Sequence, residues 1–208
     1  MKEVIPFADC GRALKELDNG GRFYNLFTKA EDEEISAGEL AKVAGVFGDR
    51  QKMFLFLEMA VHDLAVSDQQ EVYGSLSTSL REQHAKYTPQ ALLPSEAEER
   101  GVAAKTAIIT GYPRFVEDKS VFSGFIMVPI MIGTVTTMTM IPIMDQYDVY
   151  ELGDEESSRK VFLANVRGLP RLPERLSRFG GVLKDTSKDA KGTHKGRLVL
   201  EGIYYTPL

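Results

Sequence analysis

From Ser120 to Met144 the chain runs for 25 residues without a charged side chain, which is long enough to cross a bilayer as a helix. The composition of the run argues for another solution. Pro129 and Pro142 remove backbone donors, Gly124 and Gly133 weaken a helix, and Thr134, Thr136, Thr137 and Thr139 favour a pleated surface. Membrane-spanning helices tend to show Leu-rich cores and basic flanks, which this run lacks. The expectation is two strands turning at Gly133-Thr134, and no membrane partner. A hairpin apolar on both faces must be covered twice: one face by a barrel interior, the other by the helical unit, by another subunit or, least expected, by a membrane surface. Met127, Met131, Met138, Met140 and Met144 make such a surface adaptable. Self-association through Phe125 to Met144 is therefore one expected partner mode.

Charge is distributed unevenly. Residues 1–100 carry 11 Lys and Arg against 18 Asp and Glu, net -7, and residues 101–208 carry 14 against 12, net +2. Between Ser157 and Leu200, 11 basic residues face only Glu174, Asp185 and Asp189, a local charge of +8. A field of that sign attracts phosphates, nucleic acid or an acidic protein surface. The alternative is that it faces the acidic N-terminal half of its own chain. Met1 to Cys10 has no apolar core of the kind a secretory signal needs, so a cytoplasmic location is expected.

The period of the apolar positions changes partway along. Ser36-Ala-Gly-Glu39 is a capping box that opens a helix expected to stop at Phe47-Gly48. Asp49 caps the next, and Met53 to Ala65 is apolar around most of its circumference, the mark of a central buried helix. Ser67-Asp-Gln-Gln70 opens a further helix that ends at Tyr87-Thr-Pro89, and Ala13 to Leu17 is a short one broken by Gly20-Gly21. Pro89 to Gly101 reads as a linker or a short acidic helix. Beyond it, Thr106 to Thr110, Val121 to Ile132, Thr134 to Met144, Tyr147 to Leu152, Lys160 to Asn165, Gly181 to Lys184 and Arg197 to Tyr205 are β-rich. A short helical piece is expected around Glu174 to Phe179, and Thr186 to Gly196 reads as a connection within a hairpin. The fold class is α+β: a helical domain over residues 1–101, then a mostly antiparallel small β-barrel over 102–208 with the element order of an OB architecture.

Catalytic patterns are scarce. A loop ending in Ile35, Ser36 and Glu39 resembles the exit half of an EF-hand, but Thr28 and Ala30 stand where carboxylates are needed and Glu33 where Gly is required. Glu58 and His62, with Asp63 beside them, share a helix face, but their spacing differs from the Glu-x-x-His of a di-metal bundle and no second copy exists, so a partly exposed ion pair is expected. Cys10 has no nearby His, and Gly-x-Ser-x-Gly, phosphate-loop and dinucleotide fingerprints are absent. No catalytic set, metal site or cofactor is expected.

What remains is the basic stretch, with Phe162, Phe179, Tyr204 and Tyr205 on neighbouring strands as core residues or as stacking platforms. The expected function is a binding or scaffolding module. Arg167, Arg171, Arg175, Arg178, Lys184, Lys195 and Arg197 would meet single-stranded nucleic acid or another polyanion. Self-association through the uncharged hairpin is the second reading. An enzyme using a cleft between the two domains, with Glu58 or His62 as acid or base, is the third.

Overall fold

A computed structural model describes residues 1–20, 30–117, 125–132, 135–154, 159–186 and 197–208. The chain divides into two units, residues 3–89 and residues 1–2 with 90–208.

In the first unit, side chains replace the amide partners that helix starts lack. Asp9 accepts from the Arg12 amide at 2.8 Å and opens α1, Cys10–Leu17. Ser36 and Glu39 form the expected capping box of α2, Ala37–Ala44. That helix stops earlier than expected, because Gly45 takes the left-handed conformation at φ 68° and closes it ahead of Gly48. Asp49 caps α3, Arg50–Val61, which from Met53 to Val61 is buried at every position but Glu58. The single helix expected from Ser67 to Tyr87 is two: α4, Val66–Gly74, and α5, Thr78–Tyr87. The break has a backbone cause. The Ile35 amide donates to the Ser75 carbonyl and the Ser77 amide to the Ile35 carbonyl, so these residues pair with another segment instead of continuing the helix.

β1 (Lys2–Glu3) spans the division, and the second unit contains β2 (Gln90–Leu92), a 3-10 turn (Pro94–Glu96) and α6 (Ala97–Arg100). There follow β3 (Thr106–Phe115), β4 (Phe125–Ile132), β5 (Val135–Pro142), α7 (Ile143–Gln146), β6 (Tyr147–Gly153), β7 (Lys160–Val166), β8 (Ser177–Asp185) and β9 (Leu198–Pro207). Strands β3, β6, β7, β9 and β8 pair in that circular order and close into a barrel. Only β7 and β9 run parallel within it, Phe162 opposite Val199. The last strand in sequence thus lies between the third and fourth, the OB order expected from the element sequence. β2 adds a parallel strand to β3, with Gln90 opposite Ala107, so residues 90–101 belong with the strands.

One expected element is replaced. Residues 171–176 are irregular and β8 begins at Ser177, where a helical piece was expected. Ser177, Arg178 and Phe179 are taken up in pairing with Gly111, Thr110 and Ile109 of β3 and with the end of β9, which leaves too few residues after Pro173 for a helix.

Alternation along the strands builds two cores. Ile109, Tyr150, Leu152, Leu163, Phe179 and Leu200 fill the barrel. Val149, Phe162, Ala164 and Val199 form a second cluster with Val116 and Ile143, from the two ends of the β3–β6 connection. Within that connection β4 and β5 pair antiparallel, from Phe125 opposite Pro142 to Ile132 opposite Val135, as a two-stranded sheet of their own. Among the described residues no helix is long and apolar enough to cross a membrane.

Candidate functional site

Four of the eight described basic residues of the stretch form ion pairs within its own unit. Arg159 meets Glu99 at 2.6 Å, Lys160 meets Glu151 at 2.6 Å, Arg167 meets Asp148 at 3.6 Å and Lys184 meets Glu201 at 3.4 Å. Arg178 is buried in β8, opposite Thr110 and Thr206, and presents no guanidinium to an exposed face. Lys195 lies outside the described residues, as do Lys188 and Lys191. Arg175 and Arg197 are exposed. The Arg197 amide donates to Thr186 Oγ1 at 2.7 Å and its carbonyl accepts from the Thr186 amide, which pins the base of the β8–β9 connection.

Arg171 is placed differently. Its guanidinium lies over the Phe115 ring, 4.4 Å from the centroid. Phe115 in turn meets Tyr150 edge-on at 5.4 Å, and the Tyr150 hydroxyl oxygen accepts from the Leu172 amide at 3.3 Å. Strand, ring and loop therefore hold one another, and burial pushes the Tyr150 phenol up from its ordinary pKa, so it stays neutral. Arg171 and Phe115 line an open concavity of 740 Å³ together with Tyr112, Arg114, Glu117, Glu151 and Glu174. Glu151 is already neutralised by Lys160. The lining thus offers two guanidiniums and two aromatic rings, groups able to stack on planar rings and to meet anions, beside the carboxylates of Glu117 and Glu174.

Only Arg171 among the seven expected residues contributes to this concavity. Tyr112, Arg114 and Phe115 went unselected in the sequence. Their signal was the alternation Tyr-Pro-Arg-Phe at the end of a β-run, just before the uncharged segment. The expected aromatics are elsewhere: Phe162, Phe179 and Tyr204 are buried as core, and Tyr205 packs on the barrel core.

The other candidates have structural partners. Glu58 receives the Tyr73 hydroxyl on Oε2 at 3.0 Å and holds His84 Nε2 at Oε1, 2.6 Å away, which ties α3 to α4 and α5. Sequence spacing had offered His62 as its partner. Burial, then the Glu58 charge, pushes the Tyr73 phenol up. Glu39, 1% exposed, accepts from the Gly20 amide at 2.7 Å and the Ser36 amide at 2.8 Å, so its carboxylate is committed to the helix start. Thr28, the first position of the EF-hand resemblance, lies outside the described residues. Cys10 stands in the first turn of α1 with its thiol on the Asp68 carbonyl; burial, then Glu71 and Asp68, push its pKa up, the opposite of an activated thiolate. Among the described residues no group of three or more His, Cys, Asp or Glu is arranged to hold a metal ion.

No protein-family model matches the chain, and no curated protein matches it. The reading of function rests on the geometry of the barrel.

Proposed function

We propose that the barrel unit is a binding module for single-stranded nucleic acid, with its contact surface at the concavity built around Arg171 and Phe115. The observation that carries this reading is the cation–π seat of Arg171, beside Arg114 and the half-exposed Tyr112, on a five-stranded barrel. Barrels of this order present strand faces and connecting loops to oligomers, although fold alone fixes no ligand and the site must carry the reading. The ion pairs of Arg159, Lys160, Arg167 and Lys184 change the expected strength of the charge effect. With Arg114 and Arg171 as the phosphate-facing cations, log K against log salt should fall with a slope of about -1.4, two contacts at roughly 0.7 each. A protein using the whole +8 stretch would show several times that slope. The test is a titration of labelled oligonucleotides at two salt concentrations with wild type and Arg171→Ala. Binding that is shallow in salt and lost with Arg171 supports the reading, and absence of binding at low salt overturns it.

A second reading is favoured by the separate β4–β5 sheet, which pairs with no other described strand. A two-stranded hairpin is marginal by itself in water. Pro129 interrupts the donors of β4, while β5 has no Pro before Pro142 and no charge to block strand addition. Self-association through this hairpin, by pairing of β5 with a second copy, is tested by sedimentation at several protein concentrations.

A further inference from the structure

A second concavity of 730 Å³ shares a wall with the first. That wall is Tyr112, 39% exposed, which lines both. The far side is built by a close approach that only glycine permits: a Cβ at Gly111 would stand 2.7 Å from the Gly153 carbonyl oxygen and 3.1 Å from Pro94 Cγ. Without that contact the Pro94–Glu96 turn and the end of β6 could not close on β3. Leu93, 50% exposed, and Leu176 give this concavity apolar walls.

Its charges differ in kind from those of the first. Arg159 is held by Glu99, Glu96 is held by Arg100 at 2.5 Å, and Asp154 adds a further carboxylate. A phosphate finds no uncommitted cation there among the described residues. Asp154 lines the concavity; its Oδ2 accepts from the Ser95 amide at 3.4 Å and keeps lone pairs for an incoming donor, while Oδ1 is enclosed and has no hydrogen-bond partner among the described residues.

We infer that the two concavities form one bipartite groove in which Tyr112 is the stacking ridge between successive bases. The first half takes the phosphate and one base against Arg171 and Phe115. The second takes the next base alone and favours one that carries an exocyclic amine, as cytosine does at N4 and thymine does not, because carboxylates accept from such groups. This inference rests on the nucleic-acid reading above and adds to it a minimum length and a base preference.

The test uses the full chain and fluorescence-labelled hexamers of deoxycytidine and of thymidine, with a thymidine dinucleotide as competitor. Cytidine hexamers should bind more tightly than thymidine hexamers, and the dinucleotide should compete weakly. Tyr112→Ala should weaken hexamer binding by roughly tenfold, the order of one lost base stack, while Tyr112→Phe keeps it. Asp154→Asn should narrow the preference for cytidine and leave thymidine binding as it is. If wild type binds none of the oligomers, the nucleic-acid reading itself falls. If Arg171→Ala abolishes binding while Tyr112→Ala binds like wild type and cytidine and thymidine hexamers bind equally, that reading stands and the bipartite groove is overturned.

Discussion

A single carboxylate in the helical unit joins two backbone amides that lie sixteen residues apart, those of Gly20 and Ser36. Glu39 is 1% exposed and satisfies two backbone amides, Gly20 on one oxygen and Ser36 on the other, while Ser36 Oγ accepts from the Glu39 amide. Truncation leaves both amides without a partner in a buried place, so Glu39→Ala should cost about 2 kcal/mol or more. Glu39→Gln keeps one carbonyl acceptor and should lose less. Urea midpoints of the two variants check this, and an Ala variant as stable as wild type would show that the amides find other partners. The Ser36–Glu39 half of this arrangement is legible in sequence because a capping box lies within four residues. The Gly20 half is not, since nothing local couples residue 20 to residue 39. The same holds for Arg171 and Phe115, whose contact depends on how the Pro170–Pro173 loop returns to the end of β3.

Elements were more legible than sites. Alternation and turn residues marked the five barrel strands, and the uncharged run folds as the expected antiparallel pair β4–β5. The break between α4 and α5 was invisible because it comes from the bridge of Ile35 to Leu76, a contact made across the fold. The β4–β5 register makes its own prediction. Successive positions alternate between the two sides of a strand, so Met127, Met131, Met138 and Met140 fall on one side and Ile126, Ile130 and Thr137 on the other. Under the self-association reading, pairing of β5 with a second copy joins the Met-bearing sides of the two hairpins into one continuous apolar face. Met138→Lys should then lower the sedimentation coefficient at tens of micromolar with little change in melting temperature, and Thr137→Lys should do the reverse. Two variants that both sediment and melt like wild type would remove both roles from the hairpin.

Among the described residues each unit carries a partly buried tyrosine–glutamate hydrogen bond. Tyr73 donates to Glu58 at 3.0 Å in the helical unit and Tyr147 donates to Glu201 at 2.6 Å in the barrel. Burial is the first cause that raises both phenols well above their ordinary pKa of about 10, and the neighbouring carboxylate adds to it. Above pH 10 the unfolded chain therefore releases phenolic protons that the folded chain retains, so the folded state binds more protons and stability falls as pH rises. Below pH 10 the contribution of both bonds is fully present. Melting temperature should accordingly be insensitive to these groups near neutrality and should drop steeply beyond pH 10. Tyr73→Phe and Tyr147→Phe each delete one titrating group, so each should start from lower stability at pH 8 and lose less of it by pH 11. Because the two residues lie in different units, the double variant should show the sum of the two flattenings. Melts at pH 8, 10 and 11 decide it: an alkaline limb in the double variant as steep as in wild type would place the loss in other groups.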